Sequence, residues 1–94
     1  MRVRRFSVRV ADTVEEFVSA YSEKNPDYRG VWRKIIWHLE FRADELVNSQ
    51  FEDICIAWVN LNPNFPLTTV FYTIDRNDDR PTVHVIHVRF DALH

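Results

Sequence analysis

His87 and Arg89 form the pair in this sequence best suited to chemistry. They lie in the run Val83-His84-Val85-Ile86-His87-Val88-Arg89-Phe90. Two residues apart on a strand, their side chains share one face. An arginine grips phosphate through two parallel hydrogen bonds, and histidine as a residue type titrates near neutral pH. Together they suit RNA cleavage by 2′-hydroxyl attack, in which a phosphodiester is held while a proton moves. The plainer alternative is a strand arginine and histidine that serve solubility. His84 and His87 resemble a metal pair on paper. Three apart on a regular strand, they face opposite sides and would need a bulge or a helix to share an ion. His38 and His94 could join them only by tertiary accident, and no Asp or Glu stands at recognised ligand spacing, so neither a metal nor a cofactor is expected.

A second group of residues suits binding. Arg5 and Arg9 share a side of the first predicted strand. With Lys34 and Arg42 they would track a nucleic-acid backbone, or else form a solvated polar face, in keeping with the net charge of −2. The basic residues are unevenly placed: Arg2, Arg4, Arg5 and Arg9 precede any acid. Trp37 and Phe41, four apart on a predicted helix, make a second apolar ridge that either is buried or meets a partner protein. Cys55 stands alone inside the most apolar strand, where a thiol is inert. The single glycine, Gly30, leaves no Gly-rich phosphate loop. Asp75, Asp78 and Asp79 crowd one turn without an EF-hand pattern, as in a solvated turn.

The elements that must position these residues follow from periodicity. Residues 3–10 alternate, with Phe6, Val8 and Val10 on one face and Arg5, Ser7 and Arg9 on the other. Asp12 and Thr13 carry helix-capping chemistry, and Val14, Phe17, Val18 and Tyr21 form one helical stripe. That helix is predicted to end near Glu23, before Asn25-Pro26. Asp27 opens a second helix with Val31, Trp32, Ile35, Ile36 and Leu39 on its buried face. Asn48-Ser49-Gln50 reads as a break. Residues 51–61 are apolar on both parities, as in a central strand. A loop at residues 62–66 precedes a hairpin spanning 67–90, turned at 76–81.

The predicted fold is α+β, in the order β-α-α-β-β-β, with two helices packed on one face of a four-stranded antiparallel sheet. The first two strands should run in opposite directions, because two helices lie between them. A chain of 94 residues is one domain, 1–94, with 46% apolar residues and no sign of disorder. A lone cysteine fits a reducing compartment, and no run is apolar for the roughly 20 residues of a membrane span. The N-terminal arginines lack the apolar stretch of a signal peptide, so a cytoplasmic protein is expected.

The hairpin resembles the RelE/ParE toxin superfamily of bacterial toxin–antitoxin pairs. The similarity lies in Val70-Phe71-Tyr72-Thr73-Ile74-Asp75, a polar turn, and Val83-His84-Val85-Ile86-His87-Val88-Arg89. Phe6-Ser7-Val8-Arg9-Val10, followed by an acidic helix and a second helix after Asn25-Pro26, is also similar. The resemblance implies a toxin neutralised by an antitoxin that wraps it. Its target would be ribosome-bound mRNA, cut without metal, or DNA gyrase. It implies catalytic roles for His87 and Arg89. Thr68-Thr69 stand where the family commonly has an arginine, and Phe90 where a tyrosine or histidine would help. These departures imply a weak or lost ribonuclease. The competing expectation is a noncatalytic module that binds a protein through the Trp37/Phe41 ridge or a sheet edge.

Overall fold

The structure is a computed structural model that describes residues 5–77 and 79–91. Arg2, Arg4, Asp78 and His94, and the first residues of the predicted 3–10 strand, lie outside the described residues. The elements are β1 (Ser7–Val10), α1 (Asp12–Lys24), α2 (Tyr28–Arg42), β2 (Ser49–Phe51), β3 (Ile54–Val59), β4 (Leu67–Asp75) and β5 (Thr82–Asp91). This is an α+β fold whose strands form one sheet in the order β1-β5-β4-β3-β2.

The sheet corrects the predicted architecture. It has five strands and is mixed: β1 pairs with β5 in parallel, and the remaining pairs are antiparallel. The difference begins at Glu52, whose φ of 56° lies in the left-handed region although it is not glycine. That residue turns the chain inside the predicted 51–61 strand, and Gln50 Nε2 braces the turn by donating to the Glu52 carbonyl at 2.9 Å. The predicted break at Asn48-Ser49-Gln50 therefore contains the start of β2. Asn48 ties this hairpin down, its backbone N–H donating to the Ile56 carbonyl and its side-chain oxygen accepting from the Trp58 N–H. One extra reversal inverts every later strand. β3 thus runs in the direction of β1 instead of against it, and β5 ends parallel to β1.

The helix ends depart from the predicted capping chemistry. Ala11 is the N-cap of α1 and makes no side-chain bond, while Asp12 and Glu15 lie in the first turn, where carboxylates suit the helix dipole. At its other end both the backbone N–H and the side-chain amide of Asn25 donate to the Tyr21 carbonyl. Asp27 occupies the N-cap of α2 without a side-chain bond.

The helices reach the sheet through one parity of strand residues. Tyr28 of α2 shares a 2.7 Å hydrogen bond with Thr68, both buried. The Tyr72 hydroxyl donates to the Ala43 carbonyl just past α2. Phe90 packs its ring against Phe17, Tyr21 and Tyr28. Val70, Val83, Val85 and Val88 complete this face within the core, together with Val14, Val18, Val31, Ile35 and Leu39 from the helices. Removing such side chains from water is the main stabilising contribution here. Among the described residues no helix is long and apolar enough to cross a membrane.

Candidate functional site on the open sheet face

The opposite parity of strand residues forms a sheet face without helix contacts of this kind. Its centre is β5, and its geometry depends on a bulge. Tyr72 pairs with Val85, but the next residue back on β4, Phe71, pairs with His87. Ile86 is the extra residue and is 42% exposed. In β5 the core-facing residues Val83 and Val85 are thus followed by Val88 and Phe90, with the parity shifted by one. His84 and His87 consequently lie on the same face, His84 beside Thr73 and His87 beside Phe71. The condition for their convergence, a bulge, is met.

Neighbouring strands extend the constellation. Arg9 of β1 is the register partner of His84. Arg89 is the partner of Thr69, which in turn pairs with Trp58 of β3. The Phe71 ring lies 5.3 Å from the His87 ring, and the Arg89 guanidinium carbon is 5.9 Å from the Phe71 centroid. Arg89 Nε also donates to Asp91 at 3.0–3.1 Å. The Thr69 hydroxyl donates to the same carboxylate at 2.8 Å. The Thr69 hydrogen bond, with the bond and charge of Arg89, holds the Asp91 carboxyl below the usual range.

The face changes character from β1 to β2. On the β1–β5 side stand Arg9, His84, His87 and Arg89. On the β3–β2 side stand Ile54, Ile56, Trp58 and Phe51, with Trp58 53% and Phe51 67% exposed. Asp75, one row beyond Thr73, spends one carboxylate oxygen on the Asn77 backbone N–H. Two arginines flanking two histidines favour an anion over a metal cation. Among the described residues no three His, Cys, Asp or Glu side chains are grouped to hold a metal. Beyond Val85, β5 is no longer paired to β1. There His87 borders a hollow of about 220 Å³ that it shares with Thr13, Val14 and Phe17.

The other candidate residues are dispersed. Arg5 turns to the acids after α2, reaching Asp44 at 3.5 Å and Glu45 at 3.8 Å. Lys34 and Arg42 are exposed on α2, which contacts the other side of the sheet. Of the four basic residues expected to track a nucleic acid, only Arg9 joins His87 and Arg89. Trp37 and Phe41 do form a ridge on α2, with ring centroids 4.9 Å apart and Trp37 42% exposed. Beside it, burial and then Arg42 push His38 below its ordinary pKa. Cys55 is buried, and its thiol is pushed up by that burial.

Sequence reasoning missed His84 as a member of the site. The signal was present in the parity of the apolar residues, which switches between Val85 and Val88. A hollow of about 510 Å³ was also missed; it lies between α1 and α2 and is lined by Ser22, Arg29, Trp32, Arg33 and Ile36 among others. No family model matches the chain, and neither a curated protein nor a solved structure is significantly similar to it.

Proposed function

We propose that the protein is a RelE/ParE-like toxin that binds RNA on the open face of its sheet, the helices covering the other. One observation carries this reading: the β5 register puts Arg9, His87 and Arg89 on one face beside the Phe71 ring. Arginines neutralise backbone phosphates, and aromatic rings give unpaired bases a surface to stack on. Trp58, across Thr69 from Arg89, adds a second aromatic surface. His87 can exchange a proton with a ribose hydroxyl or a leaving oxygen while Arg89 holds the phosphate. The Arg89–Asp91 pair offsets part of that charge and suits a weak ribonuclease. Such a protein acts in the cytoplasm. The Trp37/Phe41 ridge, remote from this face, would seat an antitoxin-like protein.

Inducible expression tests the proposal. Growth should arrest, and Arg89→Ala or His87→Gln should relieve the arrest while leaving the circular-dichroism spectrum intact. Unimpaired growth with abundant wild-type protein would count against a toxin. Arrest with intact RNA and inhibited DNA supercoiling would move the target to gyrase. The second reading, a noncatalytic protein-binding module, is favoured by the exposed Trp37 ring packed against Phe41. It predicts a stable complex that Trp37→Ala weakens, with no growth effect at any expression level.

A further inference from the structure

We infer that His84 is the second proton-transfer group of this site, acting with His87 on the same phosphodiester. The inference rests on the RNA-binding proposal and adds a residue to it. In a regular strand the two histidines would face opposite sides. The bulge at Ile86 removes that separation and sets His84 and His87 in successive rows of one face. Successive rows on one face of a strand are roughly 7 Å apart. Two imidazoles at that spacing can flank a phosphodiester from opposite ends.

The flanking groups suit the same task. Arg9 is the cross-strand neighbour of His84, and Arg89 lies two residues beyond His87. Each histidine therefore has an arginine as a neighbour, Arg9 in the same row as His84 and Arg89 one row beyond His87. Among the described residues the charged groups facing the pair are Arg9 from β1, Arg89 and Asp91 from β5, and Asp75 from β4. Asp91 is engaged by Thr69 and Arg89. Asp75 accepts from the Asn77 N–H, a row further along. Among the described residues no carboxylate is placed between the two imidazoles.

The reaction balances with the two histidines alone. One neutral imidazole takes the proton from the ribose 2′-hydroxyl. The 2′-oxygen forms a bond to phosphorus, and the bond from phosphorus to the 5′-oxygen breaks. The other imidazole, protonated, gives its proton to the departing 5′-oxygen. The products are a 2′,3′-cyclic phosphate and a 5′-hydroxyl, and the protein has gained and lost one proton. No oxidant, reductant or second substrate is required. Arg9 and Arg89 offset the negative charge on the phosphate oxygens as it builds up.

The test compares wild type, His84→Gln, His87→Gln and the double variant on mRNA in a reconstituted translation reaction. Cut ends are mapped, and binding to a short labelled oligoribonucleotide is followed by fluorescence anisotropy. A proton-transfer pair predicts that each single variant loses about 10²- to 10⁴-fold in cleavage rate. The double variant should lose little more than either single one, and binding should be retained in all three. The wild-type rate should show a bell-shaped pH profile, and each single variant should lose one limb of it. Cleavage by His84→Gln at the wild-type rate, with His87→Gln inactive, would overturn the role of His84 and leave the RNA proposal standing. A wild-type protein that neither binds nor cuts RNA would overturn both.

Discussion

The Thr69 hydroxyl donates a 2.8 Å hydrogen bond to Asp91 across the β4–β5 pair, and Thr69 is itself buried. The same carboxylate holds Arg89. Thr69 therefore helps to fix the direction of an exposed guanidinium through an intervening acid. A hydroxyl here does structural work on the site that a valine of the same shape would not do.

Asp91→Asn should move stability and RNA binding in opposite directions. The Asp91 carboxyl is held low in the folded state by Thr69 and then Arg89. Its contribution to stability is therefore present above the usual carboxylate range and is lost as pH falls through the folded value. Urea unfolding followed from about pH 5 to pH 2 should show a shallower acid limb in the variant than in wild type. Anisotropy at neutral pH should show tighter RNA binding, because Arg89 loses a competing anion.

Arg9 should act through phosphate alone. Single-stranded RNA that contacts Arg9 and Arg89 predicts a salt dependence of log K on log salt near −1.4, at about −0.7 per phosphate. Arg9→Ala should halve that slope to about −0.7. Arg5→Ala should leave it unchanged, since Arg5 is engaged with Asp44 and Glu45.

The Tyr28–Thr68 bond should behave as a unit of the core. Tyr28→Phe strands the Thr68 hydroxyl, and Thr68→Val strands the tyrosine hydroxyl, each at about 1–3 kcal/mol. The double variant should lose clearly less than the sum, read from denaturant midpoints. Burial pushes the Tyr28 hydroxyl up to about 12 and raises that of Tyr72 as well. Stability present below pH 10 should therefore fall as pH rises from about 10 towards 12. Tyr28→Phe should make that alkaline fall shallower.

Deleting Ile86 should leave the fold and the site in place. The shortened strand would read Val83-His84-Val85-His87-Val88-Arg89-Phe90, with every core residue on one parity. The variant should refold with a melting temperature close to wild type and keep its RNA affinity. A collapse in stability would show that the bulge itself is needed for packing.

Much of this architecture is legible in the residues, and what is hidden has physical causes. β4 and β5 stand out because Thr, Val, Phe, Tyr and Ile suit a pleated surface, and both helices stand out by their apolar stripes. β2 is hidden because all three of its residues are exposed and its turn uses Glu52 instead of glycine. Missing that hairpin reverses the predicted direction of every later strand. The pairing of His87 with Arg89 follows from simple alternation. Membership of His84 does not, since it depends on one unpaired residue, Ile86. The convergence of Arg9 with them needs the parallel β1–β5 pairing, which no local pattern encodes.

The central claim is that RNA lies on the open sheet face. Its most direct test is a nuclear magnetic resonance titration of isotope-labelled protein with a short single-stranded oligoribonucleotide carrying 2′-O-methyl groups to prevent cleavage. The account predicts resonance shifts concentrated at Arg9, Thr69, Phe71, His84, His87 and Arg89, reversed by added salt. Shifts confined to Arg29, Trp32 and Arg33 in the α1–α2 groove, or to Lys34 and Arg42 on α2, would contradict it.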